Sequence, residues 1–276
     1  ELVSAVPYRN GAAAGITFTW RFMDSIIKQD VVVYDNIPRI DVLNDIDMKQ
    51  IHVLIKALFP FDVRTTKTVS EIQYGHTERP YHMNTSWDEA KFETCMHKWV
   101  DVSDNGYGVS LLNDCKYGFS SYNNTLALTL LKSPESPYYK GDCRQHKFTY
   151  SIYPHHANAA LGGTVEEAYR LNAPLTAVNV AANKNGALPD RFSMVTCNCD
   201  NITVEVLKKA ENNDGIVVRL YDAHNMVSKP TLKFGFPVKE AYITNLLEEE
   251  PIPVEVKDNS VTVNVGTFEI VTLLLK

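Results

Sequence analysis

Ile16-Thr17-Phe18-Thr19-Trp20-Arg21-Phe22 places four large apolar side chains on alternate residues, with Thr, Thr and Arg between them. Successive strand residues face opposite sides of a sheet, so this run reads as a strand with one buried face. Working outward, similar strand-like runs occupy residues 26–34, 39–46 and 51–58, with the turn Asp35-Asn36-Ile37-Pro38 among them. Short turns between such runs predict antiparallel neighbours. Residues 107–112, 126–131 and 147–153 add three more strands.

A helix is predicted over 164–171, where Thr164-Val165-Glu166-Glu167 has the spacing of a capping box. The weakly patterned stretch 173–188 follows, with Pro174 and Asn183-Lys184-Asn185-Gly186, and the composition then changes. A boundary near 188 divides the chain into domains 1–188 and 189–276. The second part offers six short strand candidates, at 202–207, 216–221, 231–236, 240–244, 261–265 and 268–274. Asn212-Asn213-Asp214-Gly215 reads as a hairpin turn, because Asp-Gly tolerates the positive φ of tight turns. The fold class is mainly β: a large antiparallel β-sandwich followed by a smaller C-terminal β-sandwich.

Composition narrows the function. Apolar residues make up 45% and charged residues 22%, enough for a sizeable core. A net charge of −6 argues against a nucleic-acid partner, which calls for a basic surface. No apolar run reaches the ~20 residues that span a bilayer, so no membrane partner is expected. The chain opens Glu1-Leu2-Val3 without an initiator Met and reads as an internal piece of a longer polypeptide. Five cysteines are too few, and odd in number, for a disulfide scaffold, which points to a reducing cytoplasmic location. Sequons at Asn84, Asn123 and Asn201 are of a kind that arises often by chance.

Residues 71–118 are polar, aromatic and without clean periodicity over most of their length. Connections beyond roughly 12–15 residues are usually functional or disordered, and the aromatic content argues against disorder. Tyr74, Tyr81, Trp87, Trp99, Tyr107 and Tyr117, among His76, His82 and His97, are the composition of a sugar-lined cleft or of ordinary packing. Glu78, Asp88, Glu89, Glu93, Asp101, Asp104 and Asp114 supply acids, whose simplest reading is turn and cap residues. Cys95-Met96-His97 and Cys197-Asn198-Cys199 put thiol and imidazole groups at i and i+2, without the second ligand pair of a closed zinc site. No metal site is therefore assigned. His155-His156 reads as a strand end. Neither a Gly-x-Ser-x-Gly elbow nor a phosphate-binding glycine loop is present.

Three segments carry a resemblance: ERPYHMNTSWDEAKFE at 78–93, HKWVDVSDNGYGVSLLNDCKYG at 97–118 and HKFTYSIYPH at 146–155. Together they resemble the C-terminal region of the α-mannosidases of glycoside hydrolase family 38. DNITVEVLKKAENNDGIVVRLYD at 200–222, ITNLLEEE at 243–250 and GTFEIVTLLLK at 266–276 resemble the terminal β-sandwich of the same enzymes. The resemblance implies a supersandwich incomplete at its N-terminus, and a catalytic domain upstream that holds the zinc ion and both catalytic carboxylates. No catalytic residue and no cofactor would then belong to this segment. It also implies a strand-loop reaching toward substrate, which falls at residues 108–118 with Asn113, Asp114 and Lys116 as its polar tip. Here LLNDCKYG stands where Golgi and lysosomal relatives carry paired arginines. A simple Asp114–Lys116 ion pair closing a hairpin is the alternative.

The implied function is the non-catalytic β portion of a zinc-dependent retaining α-mannosidase, supporting the catalytic domain and lining part of the mannoside cleft. Its partners would be that domain, a mannose-containing oligosaccharide and further copies of the chain. A stand-alone carbohydrate-binding or assembly module is the rival reading.

Overall fold

A computed structural model describes residues 1–187, 189–212 and 214–276. Residue 188, where the sequence places its boundary, and Asn213 of the expected hairpin turn lie outside the described residues. Among the described residues the chain forms two compact units. One comprises Glu1–Ile72 and Thr77–Leu175, the other Gln73–His76 and Thr176–Lys276.

The first unit is built on a nine-stranded antiparallel sheet. Its spatial order is Leu2–Asn10, Ala13–Phe22, Ser25–Tyr34, Ile37–Asp47, Gln145–His156, Tyr107–Asn113, Trp99–Ser103, Lys67–Ile72 and Gly75–Pro80. A four-stranded sheet, ordered Val53–Pro60, Thr125–Ser133, Gly118–Tyr122 and Thr94–Cys95, packs on one face. Between them lies an apolar core: Val42, Ile46, Val100, Val102, Val109, Leu111, Phe148 and Tyr150 from the large sheet against Phe119, Leu126 and Leu128 from the small one. Alternation along Trp99–Ser103 and Tyr107–Asn113 dictates this, since Val100, Val102, Val109 and Leu111 share the face opposite Asp101, Ser103 and Ser110.

That opposite face is polar and buried, and the helix Thr164–Asn172 covers it. The helix does not begin with the expected capping box. Gly163 is its N-cap, in the left-handed conformation at φ 77°, and no side chain caps it. The Thr164 hydroxyl points into the sheet instead, 2.7 Å from Ser110 Oγ. A capping box occurs elsewhere, on the short helix Ser86–Ala90, where Thr85 and Asp88 exchange hydrogen bonds. Residues 71–118 are thus no single long loop: they contain most of a hairpin, that short helix and three further strands.

The second unit is a smaller sandwich. Its four-stranded sheet runs Val195–Cys197, Thr231–Phe234, Ser260–Thr262, Val256–Lys257, and its five-stranded sheet Ile202–Lys209, Ile216–Asp222, Ile270–Leu275, Ala241–Thr244, Ile252–Val254. Val218, Leu220, Leu232, Phe234, Val261 and Leu273 fill its core. Tyr74 packs edge-on to Tyr221 at 5.2 Å, and His76 edge-on to Phe268 at 4.8 Å. Asp222 is wholly buried and accepts from Asn201 Nδ2 at 2.7 Å and from the amides of His224, Met226 and Phe268. Asn201 is committed to that contact, so its sequon offers no free amide nitrogen to glycosylation.

Gly108 pairs with His155 on one side and Ser103 on the other. A Cβ there would lie 2.3 Å from His155 Cε1 and 2.7 Å from Ser103 Cβ. Gly108→Ala is therefore expected to destabilise the first unit by about 3 kcal/mol through overpacking. Gly106→Ala, whose Cβ would meet nothing closer than 3.7 Å, should be near neutral in the same urea titration. A second expectation concerns pH. Burial works to raise the Asp222 carboxyl, but the Phe268 amide, Asn201 and two further amides outweigh it and hold the group below the usual carboxylate range. A depressed folded pKa contributes stability that is complete above the unfolded value of about 3.9 and is lost as pH falls through the folded value. Chemical denaturation of the wild type should show this loss in the acid range, and Asp222→Asn should remove that component.

Candidate functional site

Three polar constellations emerge from the first unit. The deepest lies beneath the helix Thr164–Asn172. Asp101 Oδ2 sits 2.7 Å from His155 Nε2 and 2.9 Å from Ser110 Oγ, and Ser103 Oγ donates to Asp101 Oδ1 at 2.7 Å. Ser110 Oγ is also 3.0 Å from His155 Nε2. Gly108 makes this possible: with no side chain opposite His155, the imidazole crosses its strand to reach Asp101.

Serine, histidine and aspartate are thus in mutual contact, but they do not form a nucleophilic triad. In a triad the imidazole turns one nitrogen to the serine and the other to the carboxylate. Here both contacts fall on Nε2, while Nδ1 faces the His156 carbonyl at 3.3 Å. Asp101 and Ser110 are moreover completely buried. This is a structural network.

Beside it, Arg39 bridges two buried carboxylates. Its Nε is 2.8 Å from Asp41 Oδ1 and its Nη1 3.2 Å from Glu167 Oε2. Ser151 donates to Asp41 Oδ1 at 2.6 Å, and exposed Arg170 pairs with the other Glu167 oxygen. Burial works against the Arg39 charge, yet Asp41 and Glu167 hold the guanidinium above its ordinary value. The group clamps helix to sheet.

The second constellation is the turn at residues 113–118. Asn113 is fully buried. Its Nδ2 donates to the His97 carbonyl and its Oδ1 accepts from the Lys116 amide, both at 2.7 Å. Asn172 Nδ2, from the helix, donates to the Asn113 carbonyl at 2.9 Å. Asp114 Oδ2 accepts the Thr149 amide at 2.8 Å, and Lys116 Nζ lies 4.3 Å above the Phe148 ring. Among the described residues there is no Asp114–Lys116 ion pair, so the hairpin is closed by Asn113 instead. Partial burial, with Asp114 alongside, pushes the Cys115 thiol up to about 11, so it is protonated at neutral pH. The turn exposes Cys115 and Tyr117, the Tyr117 ring lying 5.9 Å from that of His97. The structure brings Asn113, Asp114 and Lys116 together in one turn, with all three side chains engaged inside the protein.

The third is a cleft lined by Glu78, Arg79, Pro80, His82, Met83, Asp88, Lys91, Thr94 and Ser121. The strand Gly75–Pro80 delivers the first three, and the capping box fixes Asp88. Pairing of Thr94 with Phe119 brings Ser121 alongside.

The remaining candidates disperse. Trp99 and Tyr81 are buried, Trp87 and Tyr107 are exposed, and Tyr74 and His76 pack in the second unit. Glu93 pairs with Lys56 at 3.3 Å, and Asp104 caps the turn at Gly106 and Tyr107. No three His, Cys, Asp or Glu side chains among the described residues are placed to hold a metal ion. No helix there is long and apolar enough to cross a membrane.

The fold is therefore that of two antiparallel β-sandwich units in succession. Comparison with known proteins agrees. Residues 4–140 match the Glycosyl hydrolases family 38 C-terminal domain, and residues 201–273 the Glycosyl hydrolases family 38 C-terminal beta sandwich domain. The human protein "Alpha-mannosidase 2C1" is 35% identical over 258 residues, covering 91% of this chain and 24% of its own length. "Alpha-mannosidase G" of Dictyostelium discoideum is 35% identical over 251 residues, covering 89% of this chain and 23% of its own. A crystal structure of an α-mannosidase from Enterococcus faecalis superposes with a TM-score of 0.83 at 18% identity, over 99% of this chain and 35% of that one. The chain belongs to glycosyl hydrolase family 38 and carries two of that family's C-terminal domains. It spans about a quarter of the length of these curated relatives.

The Arg39 clamp can be tested directly. Arg39→Met leaves Asp41 and Glu167 buried without their shared cation and is expected to cost about 3–5 kcal/mol at neutral pH. Arg170→Ala, on the exposed side of Glu167, should cost no more than about 1 kcal/mol by the same denaturant titration.

Proposed function

We propose that this chain serves a zinc-dependent, retaining α-mannosidase as its non-catalytic β portion, buttressing the catalytic domain and completing one wall of a mannoside cleft. The observation that carries the reading is the match of two successive family 38 C-terminal domains, in order, to the two sandwiches. The zinc and the pair of carboxylates that retention requires, about 5–5.5 Å apart, are assigned to sequence outside this chain. Among the described residues no three His, Cys, Asp or Glu side chains gather to hold a metal ion.

In this reading the turn at residues 113–118 is the part that faces the substrate oligosaccharide. Asn113 holds the turn's shape, and Asp114 and Lys116 brace it against Thr149 and Phe148. A contribution of this kind works by positioning and by exclusion of water, and a misplacement of 1 Å can cost a hundredfold in rate. Five free cysteines support a reducing, cytoplasmic setting. Self-association is proposed only as a property of the longer protein.

The test is release of 4-nitrophenol from its α-mannoside, with added zinc, by this chain and by the longer protein side by side. The longer protein should turn over and lose activity to a chelator, while the chain alone releases nothing. Turnover by the chain itself would sink the reading. In the longer protein, Asp114→Ala should lower kcat/KM by roughly ten- to a hundredfold. An unchanged value would remove the turn from the cleft.

A further inference from the structure

The cleft lined by residues 78 to 121 takes no part in the role proposed for the turn at residues 113–118, and its chemistry is specific. Its cavity volume is about 130 Å³, below the ~300–1,000 Å³ of drug-sized pockets, which limits an occupant to one small unit. Two carboxylates, Glu78 and Asp88, and two cations, Arg79 and Lys91, converge on it together with His82 and the hydroxyls of Thr94 and Ser121.

The hydrogen-bonding capacity of these groups is only partly used. Glu78 pairs with Lys67, and Asp88 Oδ2 accepts from the Thr85 hydroxyl at 2.8 Å and lies 3.5 Å from His82 Nδ1. Arg79 Nη2 donates to the Cys95 carbonyl at 3.0 Å. Arg79 Nε and His82 Nδ1, however, are shielded from solvent and make no hydrogen bond within the protein. A shielded polar atom without a partner is unfavourable, so each gains if a side-chain shift on binding brings it a ligand group.

The charge balance selects the ligand. An anion would gain from Arg79 and Lys91 but sit beside Glu78 and Asp88, and a cation would meet the reverse. A neutral ligand rich in hydroxyls escapes both penalties, because each hydroxyl donates one hydrogen bond and accepts two. Pro80 and Met83 supply apolar surface for the C–H face of a ring. We propose that this cleft is a non-catalytic binding site for a neutral pyranose unit, with Arg79, His82 and Asp88 as its hydrogen-bonding residues. The proposal is independent of where hydrolysis occurs, since the site lies wholly in this chain.

Titration of the isotopically labelled 276-residue chain with methyl α-D-mannopyranoside, followed by amide NMR, tests it. Saturable shifts should be confined to residues 78–94 and 119–122. Arg79→Ala should weaken binding about tenfold or more, the loss expected when a charged donor is removed. Arg79 also holds the Cys95 carbonyl, so Lys91→Ala, at an exposed position, is the companion variant and should weaken binding with the spectrum otherwise intact. Absence of shifts, shifts centred elsewhere, or binding indifferent to both variants would overturn the proposal. So would inorganic phosphate shifting the same amides in preference to the glycoside, which would make the cleft an anion site.

Discussion

Across the strands Ile37–Asp47, Gln145–His156, Tyr107–Asn113 and Trp99–Ser103, the large sheet has one apolar face and one polar face, and both are buried. The packing around those strands follows from that constraint. The apolar face is covered by a second sheet. The polar face carries Arg39, Asp41, Asp101, Ser110, Ser151 and His155, all nearly or wholly inaccessible to solvent. Removing such groups from water is tolerable only when each finds partners. The helix Thr164–Asn172 supplies part of them, through Thr164, Glu167 and Asn172.

This arrangement stabilises less than its number of contacts suggests. A buried ion pair recovers its desolvation cost only when geometry and hydrogen bonding are good, and an apolar replacement of the same shape is often as stable. Its effect is on specificity of placement. Val165 and Ala168 bring burial, which any apolar helix face would provide. Glu167 against Arg39 and Thr164 against Ser110 admit one register. Asn172, at the end of the same helix, then reaches the Asn113 carbonyl, so the helix position is passed directly to the turn at residues 113–118.

The sequence revealed the sheets readily and the helix cover poorly, for physical reasons. Ile16, Phe18 and Trp20, or Val109 and Leu111 around Ser110, announce strands because alternation is local. The role of Thr164 is not local: it precedes two glutamates at cap spacing, yet a serine far away in sequence competes for its hydroxyl and wins. Asp88 lies the same three residues after Thr85, but it sat inside a stretch that lacked periodicity and was read as one long loop. Asp101 and His155 seemed to be turn and strand-end residues, because only the pairing of Gly108 with His155 reveals the opening through which the imidazole passes. A glycine in mid-strand opposite a histidine was the available signal.

The same reasoning bears on how the turn contributes to function. Asn113, Asp114 and Lys116 drew notice as polar residues at a hairpin tip, where polarity ordinarily means contact with something outside. In the folded unit each is turned inward, to His97, Thr149 and Phe148. A tip held by Asn113 at both ends and by one Asp114 oxygen on Thr149 has little freedom left. What it leaves at the surface is the Tyr117 ring backed by His97, on main chain held at both ends. Rigid presentation of this kind saves the ordering entropy that a mobile loop loses on binding. Interior hydrogen bonds thereby set the shape of the surface they support.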